Sequence, residues 1–146
     1  MLRIRNAHQE DCLDIHKIRN EEEIRKFSFD TSEITFENHR SWFEKTLVDD
    51  KRRLFVVTEE NQIYGVVRFD LSKDLKEAEV SIYVSKTAAN KGVGKFALLE
   101  SEKLLKNEIA SCKKIIAKAL IDNERSIQFF KNCAYQPMTL VFEKEV

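Results

Sequence analysis

Glycine and proline let a chain turn tightly, and this chain has three glycines and one proline in 146 residues. Average usage would supply roughly ten glycines and about seven prolines. The shortage excludes collagen-like, linker-rich and disordered chains, and it argues against a sandwich built on many tight turns. A chain of this length can bury a core without disulfides or metals, so a single domain over residues 1–146 is expected. Two of the three glycines, Gly92 and Gly94, stand two apart. Most of what the chain needs glycine for is therefore concentrated in one loop.

Charge narrows the partners. Lys plus Arg number 25 and Asp plus Glu number 25. Binding nucleic acid by bulk electrostatics needs a basic excess, so no nucleic-acid partner is expected, although a local basic pocket remains open. Apolar runs such as 97–99 and 115–117 fall far short of the roughly 18 residues a membrane span needs. Residues 1–11 lack the apolar stretch of a signal peptide, so a cytoplasmic protein with no membrane partner is expected. Cys12, Cys112 and Cys133 are odd in number and widely spaced, which suits buried, reduced thiols. His8, His16 and His39 form no metal-ligand pair, and no metal is assigned.

The chain carries no repeat and no Gly/Ser/Pro linker. Residues 1–6 alternate Leu2 and Ile4 against Arg3 and Arg5, as a half-buried strand does. Cys12, Ile15 and Ile18 recur at helical spacing over 11–20, and 20–32 reads as a short helix and a loop. Thr35 can cap a helix in which Phe36, Arg40, Phe43 and Leu47 form a stripe, with Trp42 beside it. Residues 53–58 and 63–71 are strands joined by a short polar turn, and 78–85 completes an antiparallel meander. A helix over 92–107 carries Gly94, Leu98, Ser101, Leu105 and Ile109 on one stripe. A strand over 113–121, a helix over 123–132 and a closing strand over 135–143 follow. This order predicts an α/β (α+β) fold with a mixed, mostly antiparallel sheet flanked by helices.

Gly92 opens a helix soon after a strand that ends in Ile82-Tyr83-Val84. Glycine at a helix start lets an anion approach the backbone, whose free N–H groups and helix dipole attract it. Lys91 and Lys95 add full charges, so the fitting ligand is a phosphate or pyrophosphate. A tight turn with close helix-to-sheet packing explains the same glycines equally simply. A dinucleotide fingerprint is the sharper rival, since Gly92, Gly94 and Ala97 fit G-x-G-x-x-A and Asp122 ends the next strand. Against it, the first glycine comes too late after the strand, and too little chain follows Asp122 for a second mononucleotide-binding half.

These residues resemble the GNAT superfamily of acetyl-CoA-dependent N-acetyltransferases. The family's pyrophosphate loop, [QR]-x-x-G-x-[GA], stands here as Ala89-Asn90-Lys91-Gly92-Val93-Gly94. Its second motif, N-x-x-S-[IVA]-x-F-[YF]-x-x-x-[GA]-[FY], is present as Asn123, Ser126, Ile127, Phe129, Phe130, Ala134 and Tyr135. The order of elements matches over essentially the whole chain. The resemblance implies a sheet splayed at the coenzyme site and acetyl-CoA as cosubstrate. It implies that the backbone of Ile82, Tyr83 and Val84 pairs with the pantetheine arm, and that the N–H groups of Lys91, Gly92, Val93, Gly94 and Lys95 hold the pyrophosphate. Asn123 would reach the pantetheine, although helix capping alone explains it as well, and Ser126 and Phe130 would line the channel near the thioester.

Two positions depart from the pattern. Ala89 replaces the usual Gln or Arg, which removes a side-chain contact and no backbone donor. Phe130 stands where many members have a tyrosine that protonates the departing thiolate. A thiol of pKa about 8.5 leaves tolerably without an acid, and Ser126, Tyr135 or water can substitute. For the transfer itself, a strand N–H near Val84 is placed to stabilise charge on the thioester oxygen. Glu79, which shares a strand face with Ser81 and Tyr83, is the candidate general base.

Arg19-Asn20, Ser28, His39, Trp42-Phe43 and Val67-Arg68-Phe69-Asp70 resemble the subgroup that acetylates the 4-amino group of a nucleotide-linked amino sugar. The resemblance implies a small-molecule amine acceptor, a UDP-linked sugar of nonulosonic acid biosynthesis. Trp42 would stack on a sugar or uracil, His39 would hydrogen-bond it, and Arg19 and Arg68 would meet the phosphates. Core packing of Trp42 and surface placement of both arginines is the plainer alternative. Acetylation of a protein N-terminus or of a polyamine, the latter held by Asp30, Glu33 and Asp70, remains open. So do a coenzyme-binding module without catalysis and assembly as a homodimer.

Overall fold

A computed structural model describes residues 1–88 and 92–146. Its elements are β1 (Arg3–Asn6), α1 (Cys12–Arg19), α2 (Glu22–Lys26), α3 (Phe36–Val48), β2 (Arg52–Glu59), β3 (Gln62–Leu71), β4 (Glu77–Val84), α4 (Val93–Glu108), β5 (Lys114–Ala117) and α5 (Glu124–Asn132). Short 3-10 turns at Gln9–Asp11 and Lys86–Ala88 precede α1 and follow β4. The described strands form one sheet in the order β1-β2-β3-β4-β5. All neighbours are antiparallel except β4 and β5, which run parallel with α4 as the crossover between them. This is the mixed, mostly antiparallel architecture expected from the sequence.

The meander follows from its turn. Glu60 and Asn61 both adopt positive φ, 50° and 65°, as a two-residue turn needs to match strand twist. Gly65 then faces a register shift between Val57 and Thr58. A Cβ at Gly65 would stand 3.0 Å from Val57 Cγ1 and 3.1 Å from the Tyr83 carbonyl, so only glycine allows the strands to close here. Leu54, Phe55, Val56 and Val57 are all buried, the signature of a strand covered on both faces.

Two cores result. Phe55, Val57, Val67 and Phe69 pack with Ala97, Leu98 and Leu105 of α4 on one face. Leu54, Val56 and Val66 pack with Cys12, Ile15 and Ile18 of α1 and Phe43 of α3 on the other. Phe43, Phe55 and Phe69 are wholly buried, each contributing roughly 1.5–3 kcal/mol by leaving water. Thr35 caps α3 by accepting from the Asn38 N–H at 3.2 Å.

Three expectations change. The inward face of α3 is His39, Phe43 and Thr46, while Phe36 and Arg40 are exposed and Arg40 pairs with Glu44 at 3.4 Å. The polar His39 and Thr46 hid that stripe, because an apolar count passes over them. Strand β5 ends at Ala117, so Asp122 lies beyond it in a turn. Residues 136–146 form no strand. Pro137 lacks a donor, and none of the described strands stands opposite the segment, so nothing offsets the entropy of fixing it.

Candidate active site

Strands β4 and β5 pair only from Glu77↔Lys114 to Val80↔Ala117. Beyond that point β4 remains bonded to β3 as far as Val84↔Gly65, and its other edge, through Ile82, Tyr83 and Val84, has no strand partner among the described residues. Pairing between β4 and β5 ends there. Helix α4 starts beside the gap, with Gly92 as its N-cap at φ +69° in open surroundings. An L-residue rarely adopts that φ, which gives Gly92 a backbone reason to be glycine. The N–H groups of Val93, Gly94 and Lys95 have no partner within the helix, and the first turn holds no acid. Lys95 is exposed and Val93 is buried. Lys91, with Ala89 and Asn90, lies outside the described residues.

Gly94 has a packing reason. A Cβ there would meet the Phe129 ring at 3.1 Å and Val84 Cγ2 at 3.6 Å, so glycine lets α5 close onto α4 beside the end of β4. Asn123 is buried and caps α5, its Oδ1 accepting from the Ser126 N–H at 3.1 Å. Phe130 is half-buried with its ring 5.3 Å from those of Phe129 and Tyr135. The Tyr135 hydroxyl donates to Glu102 Oε2 at 2.6 Å. Burial and the Glu102 carboxylate push that hydroxyl far above the usual tyrosine range, which makes it a poor proton donor.

On the opposite face the four residues expected to meet the acceptor come together. The Arg68 guanidinium lies 5.5 Å over the Trp42 ring, donates to Asp70 Oδ2 at 3.2 Å and to Ser81 Oγ at 3.3 Å. The Trp42 ring stands 5.6 Å from the His39 ring. Arg19 Nη2 donates to the Asp30 carbonyl at 3.3 Å, while its buried Nη1 finds no hydrogen-bond partner among the described residues. His39 Nε2 is likewise buried and unbonded. Burial, the neighbouring His16 and Arg19 lower the His39 pKa to about 4, against a weaker opposing effect of the Cys12 backbone. Its imidazole is therefore neutral at pH 7. Tyr83 and Trp42 both pack against this core, and burial raises the Tyr83 hydroxyl to about 12 against the pull of Arg68 and Arg19.

Glu79 is paired across the sheet with Asp70, two residues along from the Arg68↔Ser81 pair and so on the same face. Its Oε1 is 2.7 Å from Lys118 Nζ, and 40% of the side chain is exposed. Sequence reasoning missed Lys118, just past β5, and also Glu21. The Glu21 carboxylate accepts from Ser85 Oγ at 2.6 Å and from the Lys86 N–H at 3.0 Å, tying the start of α2 to the end of β4. No periodicity connects residues 64 positions apart.

Two clefts lie elsewhere: one of about 410 Å³ between the end of α4 and β5, the other of about 370 Å³ beside the end of α3. Among the described residues, no cluster of His, Cys, Asp and Glu could hold a metal ion, and no helix is long and apolar enough to cross a membrane.

Residues 12–135 match the sequence model of the Acetyltransferase (GNAT) family. The acetyltransferase PseH of Campylobacter jejuni is 26% identical over 136 residues, covering 90% of this chain and 82% of the relative. The spermidine N-acetyltransferase of Vibrio cholerae, solved with CoA and spermine, superposes with a TM-score of 0.83 at 21% identity, over 99% of this chain and 87% of that one. The ribosomal-protein-alanine N-acetyltransferase of Brucella melitensis superposes with a TM-score of 0.74 at 21% identity, over 89% and 82%.

Proposed function

This chain belongs to the GNAT acetyltransferase family and is an acetyl-CoA-dependent N-acetyltransferase, and from that premise we propose that its acceptor is an anionic primary amine, a UDP-linked 4-amino sugar. The observation that carries this reading is the pair of arginines beside Trp42 and Tyr83, one of them with a buried, unbonded Nη1. A diphosphate would supply the acceptor oxygens that Arg19 lacks, and the Trp42 ring offers a stacking face for a sugar or base. The match to PseH agrees with the same subgroup.

A polyamine would be repelled. Asp70, which a cation would need, is held by Arg68 at 3.2 Å and Arg52 at 3.5 Å. Asp30 accepts from the Ser32 N–H and hydroxyl, and Glu33 is exposed.

In this reading the N–H groups at the start of α4 receive the pyrophosphate of acetyl-CoA, and the free edge of β4 at Ile82–Val84 receives its pantetheine arm. Lys91 and Lys95 add charge, and Asn123, Ser126 and Phe130 line the other side of the gap. The neutral amine attacks the thioester carbonyl, and the Val84 N–H stabilises the charge that grows on its oxygen. Glu79, ion-paired with Lys118, takes the amine's proton through water. Phe130 donates no proton, so Ser126 or water meets the leaving thiolate. The three buried, unpaired cysteines suit a reducing, cytoplasmic setting.

Steady-state turnover of acetyl-CoA with a UDP-4-amino sugar, spermidine and an N-terminal peptide tests the proposal. Preference for the sugar nucleotide, with its KM raised roughly tenfold or more by Arg19→Gln or Arg68→Gln, is expected, as each removes a charged hydrogen bond. Faster turnover of spermidine or peptide would sink it. Tight acetyl-CoA binding without any acetylation would instead indicate a coenzyme-binding module.

A further inference from the structure

Lys118 is a primary amine held against the candidate base. It is the first residue after β5, its Nζ stands 2.7 Å from Glu79 Oε1, and 64% of its side chain is exposed. The ladder between β4 and β5 ends one residue earlier, at Val80↔Ala117, so Lys118 follows the last pair directly. Ile115 and Ala117 pack toward α4. The contact with Glu79 puts the Lys118 side chain on the opposite face, which also carries Ser81 and Arg68. A second pair of the same kind supplies a comparison. Lys114 Nζ lies 2.9 Å from Glu77 Oε1, also between β5 and β4, but at the first pair of the ladder instead of past the last. Four residues of chain, roughly 13 Å of strand, separate the two lysines. The ion pairs are alike, and their places along the ladder differ.

We propose that Lys118 is an internal acceptor, acetylated on Nζ by acetyl-CoA bound to the same chain when no external amine competes. This rests on the coenzyme site and on Glu79 as proposed above, and is independent of which external amine the protein serves. With the pantetheine arm on the unpaired edge of β4, the acyl group lies between that edge and the residues that follow β5, of which Lys118 is the first. The ammonium passes a proton to Glu79, and the neutral nitrogen attacks the thioester carbonyl. The N–C bond forms and the C–S bond breaks. Of the two protons the nitrogen gives up, one leaves through Glu79 to solvent and the other goes to the departing thiolate, so acetyl-lysine and free coenzyme A result. The hydrogen bond to Glu79 and the charge of that carboxylate hold the Lys118 pKa above the ordinary lysine value. Most of the amine is therefore protonated, which makes the transfer slow beside turnover of an external acceptor. The amide that forms carries no charge, so the ion pair with Glu79 ends with the reaction.

The test incubates the full-length chain with isotopically labelled acetyl-CoA and no acceptor, and reads intact mass and the tandem mass spectra of its peptides over time. Label is expected at Lys118 with a rate constant roughly tenfold or more above that at Lys114, and independent of protein concentration, as an intramolecular transfer requires. Lys118→Arg keeps the charge and removes the acylable amine, so that label should vanish. Glu79→Gln should slow it roughly tenfold or more, and Gly92→Val should abolish it. Unmodified Lys118, equal labelling of Lys114 and Lys118, or a Lys118 rate unchanged by Glu79→Gln or Gly92→Val would each overturn the proposal. Calorimetry with acetyl-CoA and turnover of the UDP-4-amino sugar on the same preparation keep the two readings apart. Coenzyme binding and sugar turnover with Lys118 unlabelled overturn internal acceptance alone, whereas labelled Lys118 without sugar turnover overturns the sugar acceptor alone.

Discussion

Glu21 and Ser85 are 64 positions apart and share a hydrogen bond of 2.6 Å, so α2, beside the proposed acceptor face, is fastened to β4, whose free edge borders the proposed coenzyme gap. Ser85 is buried, and Glu21 also accepts from the Lys86 N–H. Removing the carboxylate leaves two donors to find other partners, at a cost on the order of 1–3 kcal/mol. Glu21→Ala is therefore expected to raise acceptor KM roughly tenfold, since 1.4 kcal/mol is a factor of ten. Titration calorimetry should show acetyl-CoA affinity changing far less, and Glu21→Gln, which keeps one acceptor, should recover part of the loss.

Gly92 and Gly94 should fail in different ways. A side chain at Gly92 enters open space, so Gly92→Val costs only the positive φ, about 1–2 kcal/mol, and should keep the fold while abolishing acetyl-CoA binding. Gly94→Ala pushes on the Phe129 ring at 3.1 Å and should lower the unfolding midpoint in urea. Unchanged acetyl-CoA affinity in Gly92→Val would remove the pyrophosphate from the start of α4.

His39 should make the fold acid-sensitive. Its pKa falls from 6.5 to about 4 on folding, so the unfolded chain binds the proton more readily. The stabilisation is fully present above pH 6.5 and is lost as pH falls toward 4, by as much as about 3 kcal/mol. His39→Phe keeps the ring that stacks on Phe43 and removes the titration. Urea unfolding at pH 7 and pH 4.5 should show a smaller acid loss in the variant than in the wild type.

Glu79 is testable through the pH dependence of its loss. If it accepts the amine's proton, Glu79→Gln should lower kcat about 100-fold at pH 7 and less at pH 9, where more of the amine is already neutral. Lys118→Met frees the carboxylate from its 2.7 Å partner and should not lower kcat. An equal loss at both pH values would leave Glu79 a structural role.

Local signals were readable in the sequence. The Glu60-Asn61 turn, the Thr35 and Asn123 caps and the helix opening at Gly92 each depend on a few consecutive residues, and each forms. The meeting of Arg19, His39, Trp42 and Arg68 was legible only through resemblance, because the four come from two helices and a strand. Contacts such as Glu21 to Ser85 and Glu79 to Lys118 have no local signature at all. The strand expected at 135–143 shows the converse: an apolar, β-prone run is necessary for a strand, but a paired edge is what makes one. Gly94 likewise has a packing reason to be glycine, the Phe129 ring, that the sequence alone did not show, beside the backbone N–H it would offer a phosphate.

Val66 and Val67 are adjacent in the chain, yet one belongs to the core beneath α1 and α3 and the other to the core beneath α4. Side chains on the two sides of the sheet thus exchange influence chiefly through strand backbone, which changes little when residues are substituted. Inheritance can act on the two layers separately. Under the proposed function, mutations around Trp42 and Arg68 can retune which molecule receives the acetyl group, while the layer that begins at Gly92 goes on holding the same donor.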